Sequence, residues 1–443
     1  MTLFSPFDTR YAKDLPESLS EEALIEAQVD VELAWLETLA AAKICPTFDV
    51  EKVRKIFAGL ALAEIEAIEA RTQHATRALV EALSVRLQKA GLSELATWVH
   101  VGLTSFDTVD TAQRVRLKRF LEKDFAAAAR DLETTIRDLG VKHKNTRQVG
   151  RTHGQWAVPT FFGLSMMEFA HRLQRARALV DRSAEELCGQ ASGAIGGYHA
   201  SAMLSSDPLK LEAEMLKRLE LKRDLGSLQI IAPEDQWHLA SSLFAYASVV
   251  AKVANDLRHL ARSEIAEIAE GMAPGQVGSS TMPQKRNPWN LEHVCSLYKL
   301  LQSRLQLLQI DLVTEHQRDL TNSASGRFYG EFFATVYLMM KRLTKVLSRI
   351  EINAESMTRH MNSAGSSVFA EAFYVALSKE GVANAHSLVR EASREAEAAQ
   401  TELLSVLQDK GYLKNISSVA DLEKTVLRGT VQKFDEIAKQ LKL

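Results

Sequence analysis

One short stretch of the chain combines residue types that could carry out catalysis. Residues 277–290 read VGSSTMPQKRNPWN and bring two serine hydroxyls close in sequence to a lysine, an arginine and an asparagine. Glycine, serine and proline interrupt helical patterns that continue on both sides, which predicts a loop between two long helices. A small loop that pairs a serine with a lysine could carry a catalytic group to a substrate. The alternative is a connector with chance polar residues, and composition alone leaves both open.

Polar residues also precede a predicted helix at residues 98–107, WVHVGLTSFD. Ser105 or Asp107 would cap a helix that begins at Thr108. A helix N-terminus with hydroxyls beside it also suits a carboxylate, which makes Thr104 and Ser105 candidate ligands for an acidic substrate.

Two histidines and two arginines stand in similar polar settings. His153, in the GRTHGQ stretch that precedes a predicted helix, and His74, at the end of a helical segment, could transfer protons near neutral pH. A single histidine is more often structural, so both readings stay open. Arg318 and Arg327 flank several hydroxyls near a predicted helix start, which suits a phosphate or a merely capped, solvated helix.

The overall composition predicts a soluble cytoplasmic protein. The 443 residues include 54 basic and 56 acidic side chains, so no bulk charge favours nucleic acid or a membrane surface. Three widely spaced cysteines argue against a disulfide framework or a structural zinc site. The N-terminal residues lack the apolar run of a signal peptide, and no uncharged apolar span is long enough to cross a membrane.

The chain pattern predicts an all-α fold. Proline is absent from residues 47–158 and after residue 288, and apolar residues recur at alternating spacings of three and four after residue 233 and after residue 289. We therefore expect a central bundle of long helices. The predicted domains are residues 1–107, the bundle at 108–353 with its loop at 275–288, and a small helical domain at 354–443. The predicted bundle helices span residues 161–186, 233–269, 289–314 and 325–350. Residues 228–231 are the best strand candidate.

The GSSTMPQKRNP stretch resembles the signature loop of the fumarase/aspartase superfamily, which comprises homotetrameric lyases that release fumarate. LTSFD and GRTHGQ match the other two motif regions of that superfamily, in the same order. The resemblance implies that Ser279 is the catalytic base and that Lys285 and Asn287 help hold a substrate carboxylate. It also implies a tetrameric helical core in which the three regions meet from three different chains.

Within that superfamily the whole chain most resembles the adenylosuccinate lyase family. Arg10-Tyr11, the helix-end His74, the stretch from Trp98 to Ser105, Gln229 and the Arg318–Ser323–Arg327 element match that family. The resemblance implies release of fumarate from adenylosuccinate to give AMP, and from the succinyl-aminoimidazole-carboxamide ribotide of purine biosynthesis. It implies a small nucleotide substrate and no metal or cofactor.

The predicted site has two classes of residue. The predicted catalytic residues are Ser279, His153, His74 and Lys285, with His153 donating a proton to the leaving nitrogen and His74 as a supporting or alternative acid. The predicted substrate-binding residues are Arg10, Tyr11, His100, Thr104, Ser105, Thr152, Gln229, Ser280, Met282, Asn287, Arg318, Ser323 and Arg327.

Three departures from the family pattern bear on the substrate. Gln73 stands where an Arg or Asn is frequent, Ala75 replaces an aspartate, and residues 232–236 replace a charged run. Alternative functions are another superfamily lyase that acts on an unphosphorylated substrate, such as argininosuccinate lyase or 3-carboxymuconate cycloisomerase, and a non-catalytic helical scaffold.

Overall fold

Helices dominate the computed structural model, which describes residues 5–272, 275 and 281–442. The α-helices are α1 Glu21–Ala41, α2 Val50–Phe57, α3 Leu62–Thr72, α4 Ala75–Lys89, α5 Ser93–Ala96, α6 Ser105–Arg119, α7 Ala126–Lys142, α8 Phe162–Glu185, α9 Pro208–Arg218, α10 Glu234–Leu260, α11 Trp289–Ile310, α12 Tyr329–Leu347, α13 Ala354–Ala364, α14 Ala370–Lys379, α15 Ala385–Ala399, α16 Leu403–Asp409, α17 Val419–Val426 and α18 Arg428–Gln440. A π-helical turn, Phe120–Phe125, joins α6 to α7. The strands are β1 Arg147–Thr152, β2 Gln155–Phe161, β3 Cys188–Gly189, β4 Lys222–Arg223, β5 Ile268–Ala269 and β6 Glu351–Ile352, paired β1–β2, β3–β4 and β5–β6. The predicted all-α class is confirmed.

The contacts within the chain divide it into two compact units. The first unit comprises Met1–Arg130, Ala176–Ser248 and Ser296–Lys341. Its helix α1 begins after Ser20, whose hydroxyl caps the helix by accepting a hydrogen bond from the backbone N–H of Ala23 at 3.1 Å. Helix α1 packs against α6 and α9. Aromatic side chains fill this core, and the rings of Phe125 and Tyr246 meet edge to face at 5.4 Å.

The second unit comprises Asp131–Arg175, Val249–Cys295 and Arg342–Leu443. The β1–β2 hairpin packs against α13, and Val149 of β1 joins an apolar core formed with α13 to α16. Phe373 and Leu377 are fully buried in that core. The hairpin is therefore fixed to a well-packed helical core.

The long helices start close to the predicted positions but are shorter than predicted. Helix α10 ends at Leu260 instead of Ala269, because the chain turns back and Glu267 donates its backbone N–H to the Leu260 carbonyl at 3.0 Å. Helix α11 ends at Ile310 instead of Thr314, and a 3₁₀ turn, Ser325–Phe328, precedes α12. At about 1.5 Å per residue, the 27 residues of α10 span about 40 Å and the 22 of α11 about 33 Å.

The strand prediction for residues 228–231 was wrong. That segment is irregular. Its backbone is held by a hydrogen bond from the Leu228 N–H to the Ile230 carbonyl at 3.0 Å and by the Asp110 carboxylate, which accepts the Ile231 N–H. The longest strands are β1 and β2, which carry the GRTHGQ stretch. The sequence pattern did not reveal these strands, because the half nearest the turn carries polar residues that are exposed to solvent.

No described helix combines the length and apolarity that a membrane crossing requires. The three-domain division at residues 107 and 353 stays a prediction.

Candidate active site

Helix α6 begins three residues earlier than predicted, and this places Thr104 and Ser105 at its N-terminus. Thr104 is the N-cap, Ser105 is the first helical residue, and Asp107 accepts the Thr104 backbone N–H at 2.8 Å. The prediction of a helix start at Thr108 was wrong because Asp107 acts inside the first turn as the second half of a capping box. Both hydroxyls are half-buried. A helix N-terminus with two hydroxyls is a suitable carboxylate site.

Two aspartates on α6, the fully buried Asp107 and the half-buried Asp110, hold the loops around this end of the helix. Asp107 accepts backbone N–H bonds from Ser192 at 3.1 Å and Gly193 at 3.2 Å, and burial raises its pKa to about 6. Asp110 accepts the backbone N–H of Ile231 at 3.1 Å, and burial also raises its pKa. The segment that contains Gln229 is therefore tied to α6.

Arg318 lies beside the first turn of α6. Its guanidinium stacks over the Phe106 ring at 4.4 Å from the centroid and donates to the Asn322 side chain at 2.9 Å. Its backbone φ of 139° lies outside the regions that side-chain-bearing residues prefer. Such strain persists only where the surrounding structure imposes it, and it is typical of functional positions. Ser323 and Arg327, the other members of the predicted phosphate element, are exposed on the same segment.

The remaining candidates of the first unit lie near helix ends. His74 is the N-cap of α4, not the end of the preceding helix, and its Nδ1 accepts the Arg77 backbone N–H at 3.3 Å. Its ring is exposed. Arg10 is exposed, and the half-buried Tyr11 lies 5.8 Å from the Phe7 ring.

His153 lies at the tip of the β1–β2 hairpin in the second unit. Thr152 pairs with Gln155, so His153 and Gly154 form a two-residue turn with φ of 53° and 76°. Positive φ at both positions defines a type I′ turn, which matches the twist of the strands. Thr152, His153 and Trp156 are exposed, so the hairpin does not bury the His153 imidazole.

A buried charge network anchors the base of that hairpin. Glu267 is fully buried and accepts hydrogen bonds from Gln148 at 2.7 Å, from Arg151 at 2.6 Å and from His360 Nδ1 at 2.7 Å. Burial alone would raise the pKa of Glu267, but these donors lower it below its ordinary value. Arg151 is two residues from His153, so the network fixes the strand that carries the histidine.

The signature loop is anchored by a neighbouring carboxylate. Ser279 and Ser280 lie outside the described residues. Lys285 and Met282 are exposed, and Asn287 is half-buried. Arg286, which follows Lys285, donates to the Glu270 backbone carbonyl at 2.9 Å and to the Glu351 carboxylate at 2.7 Å.

The side chain of Glu270 also binds the backbone that follows the C-terminal end of this loop. Its carboxylate accepts the backbone N–H groups of Asn290 at 3.4 Å and Leu291 at 2.8 Å, at the start of α11. Glu267 and Glu270 therefore flank β5 and hold the hairpin and the signature loop, respectively.

The candidate residues fall into two groups, one in each unit. The first unit holds Arg10, Tyr11, His74, His100, Thr104, Ser105, Gln229, Arg318, Ser323 and Arg327, and the second holds Thr152, His153, Met282, Lys285 and Asn287.

Sequence reasoning missed the supporting carboxylates. Glu267 and Glu270 lie three residues apart just before the signature loop, and this pair of acidic residues is the sequence feature that could have indicated them. Residues 232–236, a departure from the family pattern, have a structural role here, since Asp235 lies in the first turn of α10 and pairs with Arg114 at 2.8 Å. In the described part of the chain, no group of three or more His, Cys, Asp or Glu side chains could hold a metal ion.

We expect Glu267→Gln to lower the free energy of unfolding by about 3 kcal/mol, because it leaves the Arg151 side chain, which is only 15% exposed, beside a neutral partner. A group whose folded-state pKa is depressed stabilises the fold above its unfolded-state value, here 4.5. The difference between wild type and variant should thus be full at pH 7 and shrink as the pH falls below about 4.5. Thermal unfolding at fixed protein concentration measures it. The exposed Glu264→Gln is the matched control, and equal loss in both variants would contradict the network's role.

Comparison with known proteins identifies the family. The model of a family described as "Lyase" matches residues 12–299, and one described as "Adenylosuccinate lyase C-terminal" matches residues 314–425. An adenylosuccinate lyase of Archaeoglobus fulgidus is 31% identical over 92% of this chain and 91% of its own length. One of Pyrococcus horikoshii is 30% identical over 98% and 96%.

Solved structures agree on the fold. A β-carboxy-cis,cis-muconate cycloisomerase from Acinetobacter calcoaceticus superposes with a TM-score of 0.83 at 22% identity, over 98% of this chain and 100% of that one. A 3-carboxy-cis,cis-muconate lactonizing enzyme from Pseudomonas putida gives 0.82 at 24% identity, over 97% and 100%. The family matches cover most of the chain and confirm the resemblance that its motifs indicated. The chain belongs to the adenylosuccinate lyase family of the fumarase/aspartase superfamily of lyases.

Proposed function

We propose that this chain catalyses anti β-elimination of fumarate from adenylosuccinate, giving AMP. The same chemistry would act on the succinyl-aminoimidazole-carboxamide ribotide of purine biosynthesis. Similarity to adenylosuccinate lyases over nearly the whole chain supports the proposal. So does the presence of all three motif regions, LTSFD, GRTHGQ and GSSTMPQKRNP.

The observation that carries the proposal is the position of Arg318 beside the N-terminus of α6. A guanidinium held over Phe106, next to two half-buried hydroxyls and a helix N-terminus, offers two neighbouring sites for anions. Adenylosuccinate carries both a phosphate and carboxylates. A substrate with carboxylates alone would leave a guanidinium in this region without its anion.

Elimination requires a base for the Cβ proton and an acid for the leaving nitrogen. Ser279 removes the proton, which needs a dry, cationic environment because a hydroxyl is otherwise a weak base. His153 protonates the leaving purine nitrogen as the C–N bond breaks, and its exposed position at a rigid hairpin tip suits that role. His74 is the supporting or alternative acid.

The developing negative charge of the succinyl group must be stabilised in the transition state. Lys285, Asn287, Thr104 and Ser105 bind its carboxylates and stabilise the aci-carboxylate. Further substrate contacts come from Arg10, Tyr11, His100, Thr152, Gln229, Ser280, Met282 and Ser323, and Arg318 and Arg327 bind the phosphate.

We also propose a cytoplasmic homotetramer with active sites shared between subunits. The exposure of the hairpin tip supports sites shared between subunits. A proton donor in a water-excluded site must be shielded from solvent, and the hairpin that carries His153 does not shield it. Exposed apolar side chains at the end of α11 and just beyond it also support an interface between subunits: Ile310 is 69% exposed and Val313 is 84% exposed.

A direct assay tests the proposed reaction. Purified protein incubated with adenylosuccinate should release fumarate and AMP in equal amounts, detected by absorbance and by chromatography. Parallel incubations with argininosuccinate and 3-carboxymuconate test the two alternative lyases. Turnover of either one, with adenylosuccinate left intact, would overturn the proposed substrate; inertness toward all three would favour the scaffold alternative.

The phosphate assignment makes a separate prediction. Arg327→Ala or Arg318→Ala should weaken binding of adenylosuccinate by about 1.5–3 kcal/mol, since each removes a charge-assisted contact. Binding of the dephosphorylated succinyl-nucleoside should change far less. Calorimetric titration in a Ser279→Ala background prevents turnover during the measurement. Equal losses for the two ligands would show that these arginines do not bind phosphate.

A further inference from the structure

A carboxylate in the middle of α1 is buried without a strong cation beside it. Glu32 is 0% exposed, and its Oε1 lies 2.6 Å from His100 Nδ1 and accepts the Thr108 hydroxyl at 2.7 Å. Among the described residues, Oε2 has no hydrogen-bond partner, and His100 is the one basic side chain in ion-pair contact. An ionised carboxylate in such a setting needs a positive partner. Protonated His100 is the partner that the geometry provides.

The same face of α1 holds the backbone around His100. Trp35, one turn after Glu32, donates its indole N–H to the carbonyl of Val101 at 2.8 Å. His100 itself has a φ of 65°, in the left-handed region that non-glycine residues rarely occupy. Strain of this kind is kept where neighbouring contacts over-determine the backbone. The ring is therefore placed by α1, four residues before the N-cap Thr104 of α6.

The charges around the imidazole favour its protonated form. Burial acts to lower the pKa of His100, but the Glu32 carboxylate outweighs it and raises the pKa above the ordinary value. Asp107 on α6 adds to this increase, and Arg77 on α4 opposes it. Because Nδ1 is occupied by Glu32, the remaining ring N–H is Nε2–H. The side chain keeps 18% of its surface exposed, so the imidazole is not sealed from a ligand.

We propose that Glu32 is a positioning residue that holds His100 as an imidazolium, with Nδ1–H donated to Glu32 and Nε2–H donated to an anionic group of the substrate. This inference rests on the proposed function, because it assigns the state of a predicted substrate-binding residue. The anion is a phosphate or a carboxylate. In either case binding is present below the pKa of His100 and is lost as the pH rises through it.

The first test measures the charge of His100 without using activity. Histidine-selective carbon-13 labelling gives the titration of each imidazole by NMR, and the His100 signal is assigned by its loss in His100→Gln. Glu32→Gln, an isostere that keeps the hydrogen bonds, should lower the pKa of His100 clearly. Thr108→Val, which removes a neutral donor to the same oxygen, should leave His100 charged. An unchanged His100 pKa in Glu32→Gln would overturn the proposal, whatever the enzyme's substrate.

A double-mutant cycle that measures the free energy of unfolding tests the same pair when the labelled NMR signal is hard to resolve. If the two residues form an ion pair, His100→Gln alone leaves a buried unpaired carboxylate, and adding Glu32→Gln should restore stability. Additive losses in the double variant would contradict the pair.

The second test identifies the anion. Equilibrium binding of AMP, which lacks the carboxylates, and of the succinyl-nucleoside, which lacks the phosphate, is compared between wild type and Glu32→Gln. One of the two ligands should bind about tenfold more weakly to the variant at a pH between the two His100 pKa values that the first test measures, with the difference shrinking at low pH, and that ligand carries the group that His100 binds. Unchanged binding of both would overturn the role in anion binding. If wild type fails to convert adenylosuccinate but His100 still titrates as described, the proposed reaction fails and the Glu32–His100 pair stands.

Discussion

Replacing Ser279 with alanine should lower turnover of adenylosuccinate on the order of 10³-fold or more, which is within or above the range of a single acid–base group. The hydroxyl acts on the Cβ proton and contributes little to ground-state affinity, so the substrate should still bind. Initial rates of fumarate release measure the first effect, and calorimetric titration measures the second.

The neighbouring serine supplies the matched control for this experiment. Ser280→Ala changes an adjacent hydroxyl in the same GSS sequence, and as a predicted binding residue it should lose far less turnover. Arg286 must be left intact in both variants, because it ties this loop to Glu270 and Glu351. Near-normal turnover in Ser279→Ala, or a greater loss in Ser280→Ala, would remove Ser279 from the role of base.

Two inactive variants, Ser279→Ala and His153→Ala, should regain activity when they are dissociated, mixed and reassembled. If each site takes its serine and its histidine from different subunits, roughly a quarter of the sites receive both wild-type residues under random mixing. The expected change is from almost no activity to a sizeable fraction of the wild-type rate. The exposed hairpin tip at His153 and the exposed apolar end of α11 are the structural reasons for expecting shared sites.

A double variant controls for effects of reassembly itself. Mixing Ser279→Ala with Ser279→Ala/His153→Ala can create no site with both wild-type residues, so that mixture should stay inactive. Native mass spectrometry verifies that hybrid tetramers have formed. Verified hybrids as inactive as their parents would refute the shared-site arrangement.

Local sequence patterns were sufficient to predict the helical fold and the family. Helix propensity and apolar spacing depend on residues a few positions apart, so the long helices α8, α10, α11 and α12 were predicted close to their observed starts. The family motifs are contiguous, and they were readable for the same reason. Helix ends were less predictable, because α10 stops at Leu260 through a turn made by residues beyond the helix.

Tertiary structure decided which charged residues are buried and what they hold. In the sequence Glu32 is one of several acidic residues in a helical segment, yet its partner His100 lies 68 residues further along the chain. Glu267 likewise depends on His360, 93 residues away. The sequence contains these residues, but only the packed chain sets the distances and the burial that make a carboxylate a positioning group. The hairpin at His153 follows the same logic, since its polar strands gain their order from pairing with each other and from Val149 in the core beneath them.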